Sequence, residues 1–453
     1  MIKLTHGDIK NLIEYSQKYG RDEKIENVEK WIIKSGNPDY IYKFAKHIFG
    51  ADIQALQDAI IETGDARYIY EFAHNIQGAE IQSLQDAILK SSNAACMYCF
   101  ARDIEGADIN RLQEELIKTD NVECIYKFAR DVDTTNIKSL QDKIIAFGNA
   151  GFILKFARDV RMANKRILSQ ALIEKTKNPE IIYEFARAVQ GANIDVLQEV
   201  IIKIGNAKYI YHFARNVKGS NAKSLTKAYA RKIKSPKSLY DFAQNVEGAD
   251  ITVLSQSIAK TGNAEYIYKF ACDIEGADLQ VLQDAIISSG DSCYIYCFAC
   301  DIIGADILTL QNKIIELGDL WCIYCFARDI REAQIKPLQD TIINSGNAEY
   351  IYKFAHDVRR ADIDALTEAI AKTGDAEYIY LFARSVKEAN IILLGKAIKS
   401  TGNIEFINKF EKNICANKNQ LALSKHENLK TLNCETGIDD LLKRFANDEI
   451  DVD

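Results

Sequence analysis

Asn263–Gly290 reads NAEYIYKFACDIEGADLQVLQDAIISSG, and the rest of the chain is built from copies of it. Its central Phe270-Ala271 pair recurs as Phe44, Phe72, Phe100, Phe128, Phe156, Phe185, Phe213, Phe242, Phe298, Phe326, Phe354 and Phe382, each followed by alanine; a further copy, Phe410, is followed by Glu411. The spacing is 28 residues, with two steps of 29. A fixed period of this size marks a solenoid, whose units pack only on their neighbours.

With the phenylalanine as position 0, apolar residues fall at −3, 0, +1 and +4, as in Ile267, Phe270, Ala271 and Ile274. That is the core stripe of an amphipathic helix, helix A. Gly276 reads as a C′ residue and Asp278 as the N-cap of a second helix, B. Leu279, Leu282, Ala285 and Ile286 form the stripe of helix B, Gly290 closes it, and Asp291 caps the next unit. Strand and helix do not alternate, which argues against a parallel sheet. The fold expected is all-α: a right-handed α/α solenoid, or superhelix, of about fourteen 28-residue two-helix repeats. At ~9–10 Å per pair it would extend on the order of 130 Å.

A globular chain of 453 residues would split into several domains, but a repeat array escapes that rule. Only four prolines occur; Pro38 and Pro179 follow Asn37 and Asn178 at the first turn of helix A, where proline is tolerated, and Pro337 opens a helix B. A net charge of −7 argues against non-specific nucleic-acid binding, though one face can still be basic. The start, MIKLTHGDIKNL, lacks the apolar core of a signal peptide, and no apolar run reaches membrane-spanning length. Eleven cysteines without an export signal point to free thiols in a reducing compartment, the cytoplasm.

Residues 1–36 read as a degenerate N-terminal capping repeat: Ile25, Val28, Trp31, Ile32 and Gly36 keep the helix B register, but Ser16 takes the Phe position. Residues 37–414 are the tandem repeats. They loosen at about 156–242, where Arg161-Met162-Ala163 replaces the glycine corner, Lys165 takes an apolar slot and Tyr229 replaces isoleucine. Residues 415–453 read as a C-terminal cap, with Ile438–Phe445 as an amphipathic helix, and an acidic tail, NDEIDVD.

In a solenoid, chemistry appears as columns of equivalent positions. Position +2 holds Lys46, His74, Arg102, Arg130, Arg158, Arg187, Arg215, Arg328, His356, Arg384 and Lys412, with Gln244, Cys272 and Cys300 as exceptions. Position −2 is tyrosine almost throughout, including Tyr98, Tyr126, Tyr183 and Tyr211. Four residues apart, the two columns share one side of helix A. Such a ladder can hold carboxylates, phosphates or bases through stacking and forked hydrogen bonds. The structural alternative buries each tyrosine between repeats and pairs each arginine with an aspartate of the next unit, drawn from Asp103, Asp131, Asp159, Asp273, Asp301, Asp329 and Asp357. A third column, +14 on helix B, is acidic: Asp58, Asp86, Glu114, Asp142, Glu199, Asp284, Asp340 and Glu368. It reads either as a surface for a basic partner or as a solvated face.

Cys293, Cys297 and Cys300 are spaced along one side of a helix A, with Cys272, Cys322 and Cys325 in neighbouring units. Zinc accepts thiolates, but equivalent atoms one repeat apart should lie ~9–10 Å from each other, too far for one metal. The set reads as incidental exposed thiols, with redox and metal roles as the alternatives. The six histidines are scattered over distant units, and the glycines sit at helix ends rather than in a phosphate-binding loop. No catalytic constellation and no cofactor site is read.

The paired short helices from residue 1 to about 414 resemble α/α solenoids of the HEAT-like class. That resemblance implies a binding scaffold and carries over no functional residue. The reading is therefore a non-catalytic scaffold for a macromolecular partner along an extended groove. That partner is a protein; a nucleic acid held by the Tyr/Arg columns, or a sequestered small molecule or nucleotide, is the alternative. The expected surface lies across residues ~100–245, with Arg102, Arg130, Arg158, Arg187 and Arg215 exposed beside Tyr98, Tyr126, Tyr183 and Tyr211.

Overall fold

A computed structural model describes residues 6–133 and 136–415. Among these residues the chain forms twenty-nine α-helices and no strand, closing on a π-helical turn, Glu411–Cys415. The helices follow in consecutive pairs, an α/α solenoid of repeats. Contacts divide the chain into two compact units, one ending at Lys232 and the other beginning at Ile233. The proposed helix at 438–445 and the acidic tail lie outside the described residues.

The reference repeat shows why each helix starts and stops. Helix A spans Ala264–Asp273, and the Asn263 side chain accepts from the Tyr266 N–H. It ends because Ile274 turns extended, at φ −104°. The Ala277 N–H then donates to the Ile274 carbonyl at 3.2 Å, with Gly276 at φ +77°. Gly276 is thus the third residue of a turn rather than the C′ residue expected from the sequence. The need for glycine is the same, because side chains disfavour that left-handed region. Asp278 caps helix B, Leu279–Ser289, by accepting from the Val281 N–H. Gly290, left-handed at φ +70°, ends it, and Asp291 caps the following helix A.

The apolar stripes meet between the A and B helices. Ile267, Phe270, Leu282 and Ile286 are fully buried, and so is every column phenylalanine from Phe72 to Phe382. Each such ring contributes about 1.5–3 kcal/mol of burial. At the N-terminal end, buried Ser16 fills the phenylalanine slot and its Oγ accepts from the Phe49 N–H at 3.3 Å.

One buried polar column was not singled out from the sequence. Position +13 holds Gln57, Gln85, Gln113, Gln141, Gln198, Gln283, Gln311 and Gln339, all buried. Each reaches the N-cap residue of the next helix B. Gln311 accepts from the Gln334 N–H at 2.8 Å and donates to its carbonyl at 3.0 Å. Gln339 does the same with Asp362, at 2.8 and 3.2 Å. The amide thus joins repeats through a backbone group that the helix start leaves open. In the first repeat Glu29 takes this role, accepting from the Asp52 N–H at 2.7 Å and pairing with Arg21 at 2.7 Å. In the loosened stretch one joint is thinner: Ser169 offers one bond, from the Asn193 N–H at 3.0 Å, as Ser255 does beyond it from the Asp278 N–H at 3.1 Å. There Lys165 is half-buried, its ammonium donating to the Val160 carbonyl, and Tyr229 is buried in the isoleucine slot.

Candidate functional site

The Tyr and Arg columns sit on the A helices, and the structure joins most of them into a closed network. In the first unit Tyr70 donates to Asp103 at 2.7 Å, and Asp103 accepts Nε and Nη2 of Arg102 at 2.7 and 2.8 Å. Arg102 Nη1 donates to Tyr98 at 3.0 Å, and Tyr98 donates to Asp131 at 2.6 Å. Asp131 is held by Arg130, which reaches Tyr126; Tyr126 donates to Asp159, and Asp159 pairs with Arg158 at 2.7 Å. In the second unit Tyr296 donates to Asp329 at 2.6 Å, and Arg328 grips Asp329 and reaches Tyr324. The link between repeats is therefore Tyr to Asp. Arg102, Arg130, Arg158 and Arg328 each pair with the aspartate beside them in their own helix, not with one in the next unit.

Electrostatics follow this geometry. The adjacent guanidinium holds Asp103, Asp131, Asp159 and Asp329 below the usual carboxylate range, burial opposing it and the tyrosine hydroxyl adding to it. Burial first, and the carboxylate second, push the phenols of Tyr98 and Tyr126 up. Tyr98 and Tyr126 are only 7% exposed, so they do not flank a solvent-facing groove as expected. Arg102, Arg130 and Arg158 face solvent with their charge already matched.

A second aromatic column at −4 packs against the −2 tyrosine of the preceding repeat. Ring centroids are 6.2 Å apart for Tyr126–Phe152, 6.1 Å for Tyr183–Tyr209 and 5.9 Å for Tyr268–Tyr294. This staircase was legible as alternate tyrosines in the recurring run Tyr-Ile-Tyr.

The network opens in two consecutive repeats of the first unit. Ala188 and Asn216 stand where aspartate follows Arg102, Arg130, Arg158 and Arg328. Tyr183 accepts from Asn216 Nδ2 at 3.0 Å, so no carboxylate enters. Arg187 lies over the Tyr183 ring, 5.9 Å from its centroid, and Arg215 over Tyr211 at 6.0 Å. Arg215 also donates to the Tyr211 hydroxyl at 3.2 Å. Both guanidiniums are exposed, and among the described residues no ion pair engages either. Tyr183, Tyr209, Tyr211 and His212 cluster around them, half-buried. Burial, and then the charges of Lys208 and Arg215, hold His212 below its usual range. Glu180 is engaged with Tyr209, whose phenol is raised by burial first and by Glu180 next. Arg384 of the second unit, before Ser385, likewise has no ion pair among the described residues, but no neighbouring repeat shares the feature.

Val200–Lys232 contains no Asp or Glu. Its cations, Lys203, Lys208, Arg215, Lys218, Lys223, Lys227, Arg231 and Lys232, are all exposed. In a chain of net charge −7, this is a local reversal. The acidic +14 column behaves differently. Asp86 pairs with Arg111 at 2.9 Å, Asp340 with Lys336 at 3.4 Å, and Asp58 accepts from Gln54 at 3.0 Å. Its carboxylates are largely engaged by neighbours on the same face.

Among the described residues, no group of three or more His, Cys, Asp or Glu is placed to hold a metal ion. Cys322 and Cys325 are buried and Cys297 is half-buried, so the thiols from Cys272 to Cys325 are not the uniformly exposed set that the spacing implied. Helix A brings its −4 and −1 positions against the preceding repeat, which the spacing within one helix does not reveal.

No family model and no curated protein matches this chain. Among solved structures, an engineered protein from the Northeast Structural Genomics Consortium is similar at 13% identity, covering 92% of this chain and 98% of its own, with a TM-score of 0.12. A similarity at that score carries no argument about fold or function.

Proposed function

We propose that the chain is a non-catalytic repeat scaffold that docks a protein partner presenting carboxylates on helices Pro179–Ala188 and Ala207–Asn216. One observation carries this reading: Arg187 and Arg215 occupy a column whose regular members are neutralised by a neighbouring aspartate, yet they have none. An unmatched guanidinium laid over a tyrosine is a pre-oriented carboxylate receptor, since the ring fixes the fork while its edge stays open. Tyrosine and arginine are also the side chains that dominate binding energy at protein interfaces. The resemblance to HEAT-like solenoids supports a scaffold, and free thiols fit a reducing, cytoplasmic setting. Among the described residues no helix is long and apolar enough to cross a membrane.

The test is an array of peptides with graded acidic content, probed with the full chain and with the Arg187→Glu/Arg215→Glu variant. Acidic peptides should bind the parent and lose at least tenfold in affinity to the variant, while Arg130→Glu/Arg158→Glu retains them. Equal binding by the parent and the Arg187/Arg215 variant would refute the site. The carboxylate-free stretch Val200–Lys232 favours a second reading, single-stranded nucleic acid stacked on tyrosines. A labelled oligothymidylate decides it: binding with a steep salt dependence supports nucleic acid, and its absence leaves the protein reading.

A further inference from the structure

Throughout the array, position −5 of one helix A meets position −4 of the next. Asp39 and Tyr68 show the usual pair, the Tyr68 hydroxyl donating to Asp39 at 3.1 Å. Glu180 and Tyr209 repeat it. In the second unit both partners at one such joint are cysteines. Cys293, in helix Ser292–Asp301, and Cys322, in helix Leu320–Asp329, lie with their Sγ atoms 3.9 Å apart. The expected spacing of ~9–10 Å applies to equivalent positions; these two are offset by one residue, and the offset closes the gap. At the other described joints a cysteine at −4 faces no thiol: Arg67 precedes Cys96 in this register, and Ala95 precedes Cys124.

We propose that Cys293 and Cys322 are an oxidation site, a dithiol that a disulfide oxidant such as glutathione disulfide converts into a covalent bond between neighbouring repeats. The two thiols differ in a way that sets the order of events. Cys293 is exposed, whereas Cys322 is buried and its pKa is pushed up by that burial and by Asp319. The Cys293 thiolate attacks one sulfur of the oxidant and expels the first glutathione thiolate. Cys322 Sγ attacks Cys293 Sγ and expels the second glutathione thiolate, which takes up the Cys322 proton. Two protein thiols are oxidised to one disulfide and one glutathione disulfide is reduced to two glutathiones. A contact of 3.9 Å thereby becomes a bond of ~2.05 Å. The bond closes a loop of about 30 residues, which should lower the unfolding equilibrium constant on the order of a few hundredfold. It also fixes the angle between two A helices that are otherwise joined by packing and the Tyr296–Asp329 hydrogen bond.

The experiment treats the folded full chain with glutathione disulfide, alkylates the remaining thiols and maps peptides without reduction. Expected are a Cys293–Cys322 cross-link lighter by two hydrogens, a raised melting temperature, and reversal of both by dithiothreitol. Cys293→Ser, at an exposed position, should melt like the untreated parent and show neither effect. A stable glutathione adduct on Cys293 with Cys322 still reduced would overturn the proposal. So would a cross-link formed instead to Cys297 or Cys325.

Discussion

Replacing Gln311 by leucine should be among the most costly single changes on this chain that leave the apolar core intact. Gln311 is 1% exposed and makes both of its inter-repeat bonds to one residue, Gln334, at 2.8 and 3.0 Å. Leucine keeps most of the volume and removes both bonds. The N–H and carbonyl of Gln334, at the start of helix Ile335–Ser345, then lose their partners. Leaving a buried backbone group unpaired costs about 1–3 kcal/mol, less where water can reach it. Both groups are only part-buried, so the sum should be about 2–4 kcal/mol. Urea unfolding followed by circular dichroism measures it. Hydrogen exchange should show the loss concentrated in the repeats around residues 311 and 334, because a solenoid transmits strain only to neighbours. A loss below about 0.5 kcal/mol, or one spread evenly over the array, would mean that the glutamine column does not join repeats.

Phe270→Ala should cost about 3–5 kcal/mol, as other buried aromatics do, and make urea unfolding multi-state; a cost under about 1 kcal/mol would mean that the phenylalanine column is not the core. Stability should also report the network through pH. Asp103, Asp131, Asp159 and Asp329 are depressed in the folded state, so their contribution is present above the unfolded value near 3.9 and is lost as pH falls below it. Tyr240 is pushed up to about 12 by burial and by Asp273, so its contribution is complete below pH ~10 and is lost as pH rises toward 12. Melting temperature against pH should therefore hold a plateau between those limits, and Tyr240→Phe should blunt the alkaline fall.

The repeat, the two-helix unit and the apolar stripes were legible because a 28-residue period writes the core in the same letters again and again. The corner was legible as a glycine requirement but not as a turn, since both conformations demand a positive φ at Gly276. The glutamine column was hidden inside an apolar stripe; its only signal is one polar letter recurring beside Leu56, Leu84 and Leu112. The arginine pairing was misassigned for a geometric reason. Adjacent helical residues rarely face each other, which makes an aspartate of the next repeat the natural partner to expect. Arg102 instead folds back on Asp103, the last residue of its helix, and it is the tyrosine that crosses between repeats. That exchange of roles turned Arg102, Arg130 and Arg158 from candidate ligand contacts into structural groups. It left Arg187 and Arg215, in consecutive repeats, and the isolated Arg384 outside the pattern.

The central claim is that the arginines of one column divide into structural and surplus members. Melting temperatures of Arg130→Glu/Arg158→Glu and Arg187→Glu/Arg215→Glu, measured side by side at low salt, test it most directly. The first pair places glutamate against Asp131 and Asp159, at a cost of about 1–2 kcal/mol, and should melt roughly 3–6 °C lower. The second pair breaks no ion pair, loses only exposed ring contacts and the Arg215–Tyr211 hydrogen bond, and should melt no more than about 2 °C below the parent. Equal falls in both variants, or no fall in the first, would contradict the division.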